Sequence, residues 1–454
     1  MVISFKTKYR FNLRSAGLIA VLIGVILMVL WLDYGLKNSS PETGNGGLGA
    51  SVTEKPAGVD YIVLKNQGDL AFIQDGTLQI LEGSTGRLTK INANGQALQP
   101  KWSHDGQWLA YLIANQQNLS LWVVKRDGTQ LHPVDGLPEA VSYGIYKWSP
   151  TENVLAVSCQ GIWLVNEQGQ PKQVVKTGPD ITPDITWSPD GQQIAYSLTL
   201  PYTPEEVEKR SDALYTMDIH SGQTVERLMT PAAGIMLAGW WPDGKGILYW
   251  EDPFHGLSIA ADGLELCSLP LGAKEPFRLT AGLIKRSWLS LASDHRLLRV
   301  AGAGRQEWSN KWLEISDIAT GTAVRVNLPQ GSVPTDPSFS ADGSKITFVT
   351  APDLGSMDYP SVEKFKDWIN SMTLWVANPD GSGARLLSKA GKSVQEPQWS
   401  KDGKYIMYMA DKYLWMIDVQ GDEPRRIAGP FSTIDDQADY YYGSGSDVWD
   451  WYRG

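Results

Sequence analysis

The chain has 454 residues, a formal net charge of −10, 42% hydrophobic residues and two cysteines. That apolar content suffices for a large folded core, and two cysteines exclude a disulfide-built scaffold. Beyond residue 37 the balance is 35 basic against 49 acidic residues, which argues against binding nucleic acid or lying on anionic lipid.

Residues 1–14 carry Lys6, Lys8, Arg10 and Arg14, and Ala16 to Leu32 then run 17 residues without a charge. This is the lower end of what spans a bilayer as a helix, and Tyr34 to Leu36 extend it at the interface. Asp33 and Lys37 follow and cancel. The positive-inside bias predicts a cytoplasmic N-terminus at 1–14, a single-pass transmembrane signal anchor at 15–36, and everything beyond it on the extracytoplasmic side of a cell membrane. A cleaved signal peptide is the alternative, although the apolar stretch is long for one and the nearest small-x-small site, Leu48-Gly49-Ala50, lies well downstream. No cysteine lies directly after the stretch, which excludes a lipoprotein anchor. Residues 37–58 are rich in Ser, Gly and Pro and read as a flexible linker.

From residue 59 to 430 one phrase keeps returning. Its copies begin at Trp102-Ser103-His104-Asp105-Gly106, Trp148-Ser149-Pro150, Trp187-Ser188-Pro189-Asp190-Gly191, Trp240-Trp241-Pro242-Asp243-Gly244, a worn Trp288 to Asp294, Phe339-Ser340-Ala341-Asp342-Gly343 and Trp399-Ser400-Lys401-Asp402-Gly403. The intervals run from 39 to 60 residues, the size of one four-stranded propeller blade. Each copy opens onto short apolar runs separated by Gly-containing turns, such as Tyr405 to Met409, Tyr413 to Ile417 and Arg425 to Ile427, which read as consecutive antiparallel strands. Upstream, Tyr61 to Leu64, Leu70 to Ile73, Leu78 to Leu81 and Arg87 to Thr89 fit four more strands without the Trp. The fold class is therefore all-β, a propeller of seven or eight four-stranded blades with eight favoured, preceded by one transmembrane helix. The repeated Trp reads as packing between blades and the Asp-Gly pair as a turn, both scaffold.

The phrase Trp-Ser-Pro-Asp-Gly-x-x-Ile-Ala-Tyr, complete from Trp187 to Tyr196, resembles the TolB-type or WD40-like (PD40) β-propeller repeat over residues 60 to 430. The resemblance implies the fold and a bacterial envelope setting. The periplasmic TolB protein carries a further α/β domain before its propeller, where this chain has only the apolar segment and linker, so a membrane-anchored TolB-like protein is the expectation. Prolyl-oligopeptidase-type peptidases set a similar propeller beside an α/β-hydrolase domain with a Gly-x-Ser-x-Gly elbow; the chain contains no such motif.

The five histidines are scattered without metal-ligand spacing, and Cys159 and Cys267 read as buried thiols too far apart to bridge. No cofactor is expected and no catalytic residue is assigned. Binding loops concentrate where a scaffold is elaborated, and the elaborated loops join second to third strands. They supply Tyr202, Asp252, Phe254, His255, Arg305, Trp308 and Tyr359 as candidate partner-binding residues, with ordinary loop decoration as the alternative. Val362, Phe365, Trp368 and Ile369 have helical spacing and read as a docked amphipathic helix. Three residues before the repeat aromatic stand Asp184, Asp336 and Glu396, which could hold calcium at the channel mouth or simply be solvated acids. Residues 431–454 form an acidic, aromatic tail that packs back, closes the first blade or binds a partner. The expected function is a non-catalytic platform for an envelope or surface protein or peptide, attached to the membrane through its N-terminal helix. The alternatives are a lyase or hydrolase acting on an envelope polymer or peptide, and a small-ligand sensor, with a site at the channel mouth.

Overall fold

The computed structural model describes residues 49–53, 60–115, 119–138, 146–178, 182–253, 255, 263–355, 358–421, 423–431 and 448–454. The predicted anchor at 15–36, Phe254 and residues 432–447 of the tail lie outside them. Among the described residues no helix is long and apolar enough to cross a membrane.

Eight antiparallel sheets form eight blades. Blade 4 is typical: an inner strand Asp184–Trp187, then Gln193–Thr199, Asp212–Asp218 and an outer strand Thr224–Thr230, each paired with the next. The other inner strands are Gln96–Trp102 in blade 2, Tyr146–Trp148 in blade 3, Ala233–Trp240 in blade 5, Leu289–Leu291 in blade 6, Ser332–Phe339 in blade 7 and Gln395–Trp399 in blade 8. The core is a series of apolar clusters, most of which mix residues of two neighbouring blades, as where Trp308, Val349, Trp368, Trp399 and Tyr408 meet across blades 6, 7 and 8. No blade could bury both faces by itself.

The repeated phrase acts at two levels. Within a blade, Ser188 donates its hydroxyl to Asp190 at 2.6 Å and accepts the N–H of Gln193 at 2.9 Å, while Asp190 accepts the N–H of Gln192 at 3.0 Å. The same three bonds recur around Ser103 and Asp105, Ser340 and Asp342, and Ser400 and Asp402. Gly191, at φ +69°, supplies the left-handed residue that this turn needs. Between blades, Trp187 donates its indole N–H to the carbonyl of Lys147 in blade 3, Trp148 to Lys101 in blade 2, Trp240 to Thr186 in blade 4 and Trp399 to Ser338 in blade 7. Each carbonyl belongs to the residue just before the repeat aromatic of the preceding blade.

Blade 1 differs from the sequence expectation. Tyr61–Leu64 is a 3-10 turn and not a strand, because the Asp60 side chain accepts the N–H of Ile62 and begins a helical turn there. The missing inner strand comes from the other end of the chain: Trp449–Tyr452 pairs with Asp69–Gln74 and closes the ring. Trp102 of blade 2 donates its indole to the carbonyl of Asp450, so the blade junction there has the same bond as elsewhere. On the outer edge, Gly49–Thr53 adds a fifth strand antiparallel to Leu88–Asn92. These five residues fall in the stretch read as a flexible linker, and that reading does not hold for them. Cys159 and Cys267 are both buried and unbridged.

Two outcomes follow from the repeat. Trp187→Phe keeps an aromatic ring, as Phe339 does naturally in blade 7, but removes the second ring of a buried indole and leaves the Lys147 carbonyl without its donor; urea unfolding should report a loss of about 1–3 kcal/mol. Asp342 is held down to about 2, first by the Ser340 hydroxyl and then by the Ser344 N–H and hydroxyl. Its unfolded value lies near about 4, so its stabilising contribution is complete above that pH and disappears as pH falls toward 2. Asp342→Ala should therefore flatten the melting temperature profile below about pH 4 while leaving its shape near neutrality unchanged.

Candidate binding face

Strands alternate in direction, so the Ser-x-Asp-Gly turns open on one face, while the second-to-third-strand loops and the blade-to-blade connections open on the other. Chain topology directs the described loop candidates to this second face, while the carboxylates belong to the inner strands, toward the axis.

On the rim, Tyr202 and Tyr359 are 48% and 57% exposed. Tyr202 precedes a 3-10 turn, Pro204–Lys209, whose start is fixed by the Thr203 N–H bonding to Glu206 at 3.2 Å. Trp308 is fully buried, contrary to its reading as a contact residue of an open loop. Its ring packs against Tyr359 at 5.4 Å and Phe365 at 5.8 Å, making it the floor beneath helix α1, Val362–Asn370. Phe365, Trp368 and Ile369 of α1 are buried as their spacing implied, whereas Val362 is half exposed. Ser361 caps α1 by accepting the N–H of Lys364.

Arg305 lies half-buried in the same loop as Trp308. That loop closes around Lys311, whose ammonium donates to the carbonyls of Ala303 and Gly304 at 3.1 and 3.0 Å; burial depresses its pKa to about 8. Ser309 donates to Asp353 at 2.8 Å and ties the loop to blade 7. Asp252 is buried at the end of its strand. His255 faces Asp212 at 2.9 Å, and Asp212 accepts the N–H of Ile235 with its other oxygen, so the blade 5 loop is clamped to blade 4. Asp212 carried no signal in the sequence, because its partners lie in the next blade.

At the axis the carboxylates cap backbone. The inner strand of a blade has one edge with no strand beside it, and its N–H and C=O groups need partners. Asp184 accepts the N–H of Leu237 in blade 5 at 2.8 Å and the guanidinium of Arg286 at 2.5 Å. Arg286 also donates to the Leu237 carbonyl at 2.6 Å, so both free groups of Leu237 are occupied by side chains. Lys147 donates to the Ile185 carbonyl at 2.7 Å. Asp336 accepts from the Trp288 indole at 3.3 Å and from the Glu396 backbone. Asp450 accepts the N–H of Trp102 at 2.7 Å. Asp336 and Glu396 sit at φ +48° and +52° in bulges of their strands, a local kink that re-aims a side chain. Among the described residues no three His, Cys, Asp or Glu side chains converge as a metal-ligand set, and Asp184, Asp336 and Glu396 are not brought together as one. Lys147 precedes a repeat Trp, as Lys101 does, and aligning the copies would have found it; Arg286 is hidden in the worn copy.

No family model matches the chain, and no curated protein matches it in sequence. Solved structures do match. Porphyromonas gingivalis dipeptidyl peptidase 4 is similar with a TM-score of 0.54 at 10% identity, over 83% of this chain and 62% of that one. A prolyl endopeptidase matches at 0.49 and 11%, over 73% of this chain and 49% of that one, so the chain spans about half of its length. TolB from Acinetobacter baumannii matches at 0.35 and 12%, over 80% and 64%. The class that emerges is an eight-bladed β-propeller closed by its C-terminal strand.

Burial raises the Asp336 carboxyl above its ordinary value. The folded state then holds the proton more tightly than the unfolded chain, so this group favours folding at low pH and that contribution is lost as pH rises through and above about 4. Asp336→Asn removes the charge, and the melting temperature of the variant relative to the parent should rise from pH 4 to pH 7. A constant difference across that range would show that Asp336 is solvated.

Proposed function

We propose that the protein is a membrane-anchored, extracytoplasmic propeller that binds a protein or peptide partner of the cell envelope on the face carrying the second-to-third-strand loops, without catalysing a reaction. The observation that carries this reading is that two aromatics, Tyr202 and Tyr359, stand exposed on elaborated loops, the second of them seated against a buried ring. Tyr359 rests on the buried Trp308, and α1 is docked on the same floor. Exposed tyrosine held in place offers contact area at little entropic cost, the property that enriches it at interfaces. The anchoring half of the proposal rests on the uncharged run from Ala16 to Leu32 and the basic residues before it. Two of the similar solved structures are peptidases; here the exposed aromatics support recognition.

Surface crosslinking of cells making the tagged full-length chain, followed by affinity capture, tests this. Tyr202→Ala and Tyr359→Ala together should reduce recovery of a stoichiometric partner by tenfold or more, on the order expected for interface aromatics, with an unchanged melting temperature. Unchanged recovery would overturn the choice of face. Trp308→Ala is the wrong probe, since it removes a core side chain and destabilises by several kcal/mol, on the order of 3–5.

A further inference from the structure

The capping arrangement at the axis leaves one surplus. Between blades 3 and 6 the side chains of Lys147, Asp184 and Arg286 form a single cluster, with two positive charges against one negative. Asp184 is consumed: one oxygen takes both the Leu237 N–H and the Arg286 guanidinium, and the other takes its own neighbour's N–H at 3.0 Å. Lys147 has three N–H bonds and one acceptor among the described residues, the Ile185 carbonyl. Burial disfavours its charged form, the Asp184 carboxylate counters that, and the smaller effect of the Arg286 charge opposes it again. Arg286 uses its Nε on Leu237 and one terminal nitrogen on Asp184, and its side chain remains 49% exposed. A buried ammonium with unused N–H bonds beside a half-exposed guanidinium fork matches the geometry of a carboxylate, even in a domain whose overall charge is negative.

We propose that Lys147 and Arg286 form a carboxylate-binding site at the propeller axis, and that it takes an acidic group of a bound peptide. This rests on the peptide-platform reading and deepens it. The carboxylate completes the hydrogen bonding of Lys147 and occupies the free edge of the Arg286 fork, while Asp184 keeps the fork oriented. The group comes either from a chain terminus or from an Asp or Glu side chain, and the two sources differ in what else they bring: a terminus enters end-on, a side chain requires the peptide to pass across the mouth.

Three tripeptide probes carrying one uncharged fluorophore on the N-terminus separate the cases on the full-length protein in detergent, read by anisotropy: Ala-Ala-Ala with a free carboxylate, Ala-Glu-Ala-amide, and Ala-Gln-Ala-amide. One or both acidic probes should bind and the neutral one should not; which acidic probe binds identifies the source. Lys147→Gln and Arg286→Gln should each weaken that binding by roughly ten- to a hundredfold, the value of a charge-assisted hydrogen bond, and raised salt should weaken it in the parent. Arg286→Lys keeps the charge without the fork and should recover only part of the loss; it serves as the folded control should Arg286→Gln melt early. Equal binding of all three probes, binding of none, or acidic-probe binding that survives both Gln variants would overturn the site. If partner capture is lost with Tyr202→Ala and Tyr359→Ala while the Gln variants bind acidic probes normally, the platform stands and the carboxylate site fails. Capture indifferent to the tyrosines, with acidic probes still lost in the Gln variants, would sink the platform and retain the site.

Discussion

The ring depends on a single hydrogen bond made repeatedly, from the indole of a repeat Trp to a carbonyl in the blade before it. Counting the closure at Asp450, five of the eight junctions use it. A bulky ring alone would fill the space between blades, but its N–H also sets how far one inner strand is slid along its neighbour. Blade 7, with Phe339, lacks the donor and uses another device: the Phe339 N–H bonds to the Ser290 hydroxyl at 2.9 Å. In blade 6 the Trp288 indole turns to Asp336 instead. At the remaining junction, between blades 8 and 1, Arg453 donates to the Trp399 carbonyl at 3.0 Å in place of an indole. The departures in blades 6 and 7 are adjacent, and they fall where the chain carries elaborated loops, those of Trp308 and α1.

Fixing the inner strands in this way creates the second constraint, because eight strands meet at an axis with one edge each left unpaired. Charged side chains from neighbouring blades cap those edges. Of the acids read as a cation site, Asp184 and Asp336 accept backbone N–H groups, as Asp450 does where the ring closes. Such capping is directional and leaves surplus charge wherever cations outnumber acceptors, which is the origin of the Lys147 and Arg286 cluster. Scaffold and chemistry therefore share the same residues at the axis.

Much of this was legible in the sequence, for a physical reason. The Trp and the Ser-x-Asp-Gly box meet the same partners in nearly every copy, so selection for one geometry leaves one phrase. The helix at 362–370 was legible because its burial is periodic. Blade 1 was not, since the Trp451 indole bonds to Gln67, 384 residues away, and no local pattern records such a pairing. Tyr61 to Leu64 is apolar like a strand, and only Asp60 betrays the turn. Trp308 was misread as exposed because Gln306, Glu307, Ser309 and Asn310 surround it with polarity, while its covering residues come from the next blade. Arg286 and Asp212 act on neighbouring blades and could be found only by knowing which blades adjoin.

The closing strand gives the protein a temporal order. Trp449–Tyr452 stands nearest the axis, yet it is synthesised after all the other strands of the ring, and blade 1 waits with the free edge of Asp69–Gln74 exposed until it arrives. A chain released before this strand is made presents that edge as a docking strip for chaperones and proteases. An open ring and a closed one therefore differ outwardly by whether one strand's edge is still available.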